Sequence, residues 1–157
     1  PNYFLDTSAQ SKRYHKESGS EYMDRILERS GSRSLLSHLS VVELESVLAI
    51  KTRTGEIDEQ ALQIARRRFR ADIARQRLLV APPVHERHFH SARRLLTQYG
   101  VPEGLRTLDA LQLAIALDLR QLGQVDVLVA ADQRLCRVAS IAGCSAVNPE
   151  KPGPVLA

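Results

Sequence analysis

The chain opens on a short apolar run, Asn2-Tyr3-Phe4-Leu5, that stops at Asp6-Thr7-Ser8. A run of this length closed by a carboxylate and two hydroxyls predicts a strand feeding a helix that a side-chain oxygen caps, with the helix reaching towards His15. Glu21 to Arg29 reads as a second helix, ended by Ser30-Gly31, and Ser34 to Ser37 as a second strand. A longer helix is expected from Leu39 or Ser40, with Val41, Leu44, Val47 and Leu48 on its apolar side and Gly55 as terminator. From Asp58 to Arg77, the residues Leu62, Ile64, Ala65, Phe69 and Ile73 recur amid arginines, the pattern of an amphipathic helix with a basic outer face. Leu78 to Val80 is a third strand. Pro82 and Pro83 punctuate the chain, Val84 to Tyr99 reads as a helix, and Gly100 to Gly104 as a loop. Thr107 to Leu122 carries the strongest helical signal. A strand over Val125 to Ala130, a helix over Asp132 to Ala142 and an edge strand at Ala146-Val147 complete the series.

Strands alternating with helices predict a parallel sheet covered by helices on both faces, because parallel neighbours need crossover connections. The 157 residues suit one domain, assigned to residues 1–149, with the proline-rich residues 150–157 as an extended tail. No stretch approaches the roughly 18 apolar residues of a membrane span, and the N-terminus lacks the order of a signal peptide, so a soluble cytoplasmic protein without membrane contact is expected. Lys and Arg outnumber Asp and Glu by 22 to 18, a formal charge of +4, which favours a polyanionic partner without naming one. Cys136 and Cys144 lack metal or redox spacing and are expected to be buried thiols.

The chemistry lies in the acids. In open parallel sheets ligands collect beyond the carboxyl ends of the strands, and Asp6 and Asp132 both follow apolar strand signals directly. Each has an ordinary alternative use as the cap of the following helix. Asp109 stands in Leu108-Asp109-Ala110-Leu111-Gln112-Leu113-Ala114, a helix apolar enough to be largely buried, where a carboxylate needs a cation, backbone donors or a proton. The first-turn dipole is its other possible partner. Glu43 lies on or beside the buried side of its helix, and periodicity does not separate it from Glu45. Converging carboxylates repel unless a cation sits among them. Magnesium or manganese suits all-oxygen donors, and phosphodiester hydrolysis by a metal-activated water is the matching chemistry.

The ordered set Leu5-Asp6-Thr7-Ser8-Ala9, Val42-Glu43-Leu44, Leu105-Arg106-Thr107-Leu108-Asp109-Ala110-Leu111-Gln112-Leu113-Ala114 and Val129-Ala130-Ala131-Asp132-Gln133-Arg134-Leu135 resembles the PIN-domain family, most of all VapC-type toxins, over about Asn2 to Pro149. The resemblance implies a three-layer α/β/α sandwich with a central parallel sheet. It also implies a Mg2+- or Mn2+-dependent endoribonuclease acting on RNA, a VapB-like antitoxin partner and a homodimer. Carried over residue by residue, Asp6, Glu43, Asp109 and Asp132 become the catalytic and metal-holding acids, Glu43-Leu44 selects Glu43 over Glu45, and Ser8 supports Asp6 or a metal water. The family often has a hydroxyl residue two positions before its last acid; this chain has Ala130.

Arg66, Arg67 and Arg70 are candidate RNA-phosphate contacts, with a solvated helix face or a protein interface as alternatives. His85, His88 and His90 lack the spacing of a zinc-protease motif and are expected on an exposed helix face. A non-catalytic PIN-like module that binds RNA or protein is the rival to the enzyme. Phospho-accepting α/β domains fit poorly, since Asp6-Thr7-Ser8 lacks a second aspartate two positions on.

Overall fold

The computed structural model describes residues 1–153. Its elements run β1 (Tyr3–Leu5), α1 (Thr7–Gln10), a 3-10 turn (Ser11–Arg13), α2 (Ser20–Glu28), β2 (Ser34–Leu36), α3 (His38–Arg53), α4 (Glu59–Ala74), β3 (Leu79–Val80), α5 (Glu86–Glu103), α6 (Thr107–Gln121), β4 (Val127–Val129), α7 (Gln133–Ile141) and β5 (Ser145–Val147). Among the described residues the strands form one parallel sheet in the order β3-β2-β1-β4-β5. The three-layer α/β/α architecture implied by the sequence is the one observed. The tail expected over residues 150–157 falls partly on 154–157, which lie outside the described residues.

Two apolar cores, one on each face of the sheet, explain why its central strands are continuous hydrophobic runs rather than alternating ones. In β1, Phe4 points into a core shared with α5, α6 and α7 through Leu95, Leu113, Ile115, Leu135 and Val138. Its neighbours Tyr3 and Leu5 point the other way, against Met23 of α2, Leu44 and Leu48 of α3 and Leu62 of α4. Burying a side chain such as Phe or Leu contributes roughly 1.5–3 kcal/mol. A polar residue anywhere in β1 would therefore cost one core or the other.

The strand order places a topological switch between β1 and β4. From β1 the chain moves outward to β2 and β3 with its helices on one face; it then crosses back to β4 and β5 with its helices on the other. Connections that leave neighbouring strands in opposite directions open a crevice at their carboxyl ends. The Asp6 N–H donates to the Val129 carbonyl at 2.9 Å, which pins the two strand ends at that crevice.

Three sequence expectations change. The loop expected over residues 100–104 is helical up to Glu103, with Pro102 inside α5. The proline ring fixes a helical φ, and the real terminator is Gly104, whose φ of 67° is the left-handed cap that glycine adopts without strain. The helix expected from Thr7 towards His15 is split into α1 and the 3-10 turn. Ile64, counted with the apolar face of α4, is exposed, so that face narrows to Leu62 and Ala65 with Phe69 and Ile73 half-buried.

Candidate functional site

The carboxylate singled out after β1, Asp6, is buried and caps α1. The Ser8 amide donates to Asp6 Oδ2 at 3.0 Å, and the Ser8 hydroxyl donates to the same oxygen. That hydroxyl in turn accepts the Ala131 N–H at 3.0 Å. Ser8 therefore joins the exit of β1 to the exit of β4 through one oxygen atom. From the far side, Asn148 Nδ2 donates to the Ala131 carbonyl at 3.0 Å, so the peptide leading into Asp132 is held at both ends.

Asp132 caps α7, and its Oδ1 accepts the Arg134 and Leu135 amides at 2.8 and 3.3 Å. The cap and the site are compatible uses, because capping takes one oxygen and leaves Oδ2 facing Arg106 at 3.7 Å. Asp109 lies in the first turn of α6, where the helix dipole favours a negative charge, with Arg106 Nε 3.4 Å from its Oδ2. Glu43 extends from α3, and the Gln112 amide donates to its Oε1 at 3.1 Å.

Asp6, Glu43 and Asp109 are raised by burial and by the charges of neighbouring acids. Burial raises the Asp6 carboxyl above its ordinary range and the Asp109 charge raises it further, against the pull of the Ser8 hydrogen bonds. Burial raises Glu43, and the charges of Asp6 and Asp109 add to the rise. Burial raises Asp109 too, with Asp132 adding and Arg106 opposing. Glu45 is instead drawn outward to Arg66, 2.9 Å away, so of the two glutamates that periodicity left open Glu43 is the one turned towards the other acids.

Gln112 is the residue that sequence reasoning passed over. It is fully buried one turn beyond Asp109, accepts from the Ser37 hydroxyl at 2.7 Å and donates to the Ser40 hydroxyl at 2.8 Å as well as to Glu43. A polar side chain inside the apolar run Ala110 to Ala116 was the available signal, since a buried amide without partners would be costly. Gln112→Leu keeps the approximate volume and strands these partners, so we expect a loss of about 1–3 kcal/mol, read as a lower urea midpoint. An unchanged midpoint would show that water replaces the amide without cost. The Thr7 hydroxyl, also buried, has no hydrogen-bond partner among the described residues.

A family model for the PIN domain matches residues 3–141, nearly the whole chain. The chain belongs to the PIN-domain family. No curated protein matches it in sequence. Among solved structures it is similar to VapBC2 from Rickettsia felis bound to a DNA fragment from its promoter, at 17% identity and a TM-score of 0.62, over 94% of this chain and 98% of that one. It is similar to FitAcB from Neisseria gonorrhoeae at 18% identity and a TM-score of 0.61, over 94% and 97% of the two chains. A FitAB complex bound to DNA gives 17% identity and a TM-score of 0.64, over 98% and 99%. At such identities the likeness establishes the fold.

Other residues singled out in the sequence lie differently in this PIN domain. Arg66 is occupied by Glu45, while Arg67 and Arg70 are exposed and make no ion pair among the described residues. His88 departs from the expected exposed face: it is buried, its Nδ1 accepts the His85 N–H at 2.9 Å, and its Nε2 meets Asp118 at the same distance. Sequence spacing could not reveal Asp118, which α6 brings across to α5. Cys144 is buried as expected; Cys136 is half-buried, and its thiol donates to the Ala130 carbonyl at 3.3 Å. No helix among the described residues is long and apolar enough to cross a membrane.

Proposed function

We propose that this PIN domain is a divalent-metal-dependent endoribonuclease, the toxin of a VapBC-type pair, with Asp6, Glu43, Asp109 and Asp132 as its catalytic acids. The observation that carries the reading is that four separate elements bring four carboxylates to the switch-point crevice, three of them raised above the ordinary carboxylate range by burial and by one another. Such a set repels itself as bare anions and suits a cation.

Magnesium or manganese fits the donors present, which are all oxygen. Among the described residues no group of three acidic, histidine or cysteine side chains is close enough together to hold an ion. Magnesium and manganese as a class keep several waters and take few protein carboxylates. Such an ion, when bound, supplies a more acidic water and neutralises charge at a phosphodiester. The chain's own work is to hold and orient: Ser8 fixes Asp6, Gln112 fixes Glu43, and the α7 cap fixes Asp132. A carboxylate raised towards neutrality is also a better acceptor for the proton of an attacking water. Cys136 is an unsuitable nucleophile, because burial and then the Asp132 charge push its thiol up to about 11. Exposed Arg67 and Arg70 offer guanidinium groups to RNA phosphates. A VapB-like antitoxin and a homodimer follow from the sequence resemblance, and the fold neighbours VapBC2 and FitAB support the pairing.

The test is cleavage of a mixed pool of structured RNAs by antitoxin-free protein. Cutting is expected with Mn2+ or Mg2+ and none with EDTA. Binding across many RNAs without cutting would favour a non-catalytic PIN-like module, a reading that fully buried Ala130, in place of the hydroxyl residue the family often carries, keeps open.

A further inference from the structure

Two arginines flank the acids, and they are used differently. Arg134 is committed, its Nη1 donating to the Gly104 carbonyl at 3.0 Å. Arg106 is 70% exposed, and among the described residues its side chain bonds only to the site: Nε lies 3.4 Å from Asp109 Oδ2 and Nη2 lies 3.7 Å from Asp132 Oδ2. Those carboxylates belong to different elements, the first turn of α6 and the corner between β4 and α7. One guanidinium thus spans the gap that an ion shared by Asp109 and Asp132 would fill.

We propose that Arg106 is the built-in counter-ion of the site, pairing with Asp109 and Asp132 while no divalent cation is bound and displaced when one arrives. The inference rests on reading the acids as a cation site. A planar guanidinium can serve two carboxylates at once, but at this exposure each pair is weak and screened. A divalent ion carries twice the charge, and the two cations repel each other at contact distance, so they do not share these oxygens. Arg106 consequently sets the cation concentration at which the site fills. It also spares the metal-free protein a fully uncompensated pair of acids. As an exposed residue outside both apolar cores, it can be replaced without disturbing the fold.

The experiment is a titration of the full chain with Mn2+ alone, free Mn2+ being followed by electron paramagnetic resonance. Wild type, Arg106→Gln, Arg106→Lys and Asp109→Asn are compared at one pH and ionic strength. Arg106→Gln is expected to bind Mn2+ about fivefold tighter. Arg106→Lys, which keeps the charge, should stay within about twofold of wild type. Asp109→Asn should bind about tenfold or more weakly. The Mn2+-induced rise in melting temperature should be larger for Arg106→Gln than for wild type, because only its metal-free form has lost the pair. Equal or weaker Mn2+ binding by Arg106→Gln, with Asp109→Asn weakened, overturns the counter-ion and leaves the cation site standing. Equal tightening by Arg106→Lys overturns it as well, since charge would then not be the cause. Wild-type binding by Asp109→Asn overturns both readings together.

Discussion

Asp109→Asn is expected to lower metal-dependent RNA cleavage by about 100-fold or more while the chain stays folded, and to make the metal-free protein more stable at neutral pH. The two effects have one cause. Burial and the Asp132 charge raise the Asp109 carboxyl above its unfolded value. A group raised in this way gives its full stabilisation below the unfolded pKa, 3.8 for an aspartate, and loses it as pH rises through the higher folded pKa. Asp6 and Glu43 are raised in the same sense and add to that loss. Asp118 acts oppositely: its hydrogen bond from Arg87 lowers its pKa, so its stabilisation is lost only as pH falls below the ordinary carboxylate range. The metal-free wild type should therefore melt at progressively lower temperature as pH climbs above that range. Asp109→Asn should flatten this slope, and saturating Mn2+ should abolish it. Thermal melts across pH, with and without Mn2+, measure all three, and a slope unaffected by Asp109→Asn would sink the coupled-acid account.

The largest stability effect is expected beneath the site. Arg13 and Asp72 are both buried, with Arg13 Nε 3.1 Å and Nη2 3.3 Å from the two carboxylate oxygens of Asp72. The Tyr14 hydroxyl donates to Asp72 at 3.1 Å, and Arg13 Nη1 reaches Asp24 at 2.6 Å. Burial, and then the Asp72 charge, raise the Tyr14 phenol well above its ordinary value. The network clamps the 3-10 turn that follows α1 onto α2 and α4, and so fixes the segment leaving Asp6. Arg13→Ala leaves the buried Asp72 carboxylate with Tyr14 and the longer pair to Arg77 at 3.5 Å, at a cost of about 3 kcal/mol. For a domain of this size that corresponds to a fall of roughly 10 °C in melting temperature. The double variant Arg13→Met with Asp72→Leu should recover much of it, because desolvation nearly cancels the attraction in a buried pair. A fall of only a degree or two for Arg13→Ala would mean that water reaches the network and screens it.

Most of the element series was legible because each element carries its own local signal. The apolar runs of β1, β2 and β4, the caps at Asp6 and Asp132, and the periodicity of α4 and α6 depend on neighbours a few residues away. The continuation of α5 through Pro102 misled because proline and Gly100 usually mark breaks, whereas here the helix runs on to a left-handed cap at Gly104. His88 misled for a different reason. Its burial depends on Asp118, thirty residues away on another helix, and no spacing rule reaches that far.

By itself the sequence determined the order of strands and helices and the parallel sheet covered on both faces; its resemblance to a family, not its periodicity, put forward the four acids. Local hydrophobic periodicity and capping chemistry write the elements directly into neighbouring residues. Only the tertiary structure decided that Asp6 and Asp132 flank one switch point, that Glu45 turns to Arg66 while Glu43 turns to Gln112, and that Arg106 spans two of the acids. Each of those outcomes is a contact between elements far apart in the chain. Their distances and charges exist only once both apolar cores have closed around the sheet.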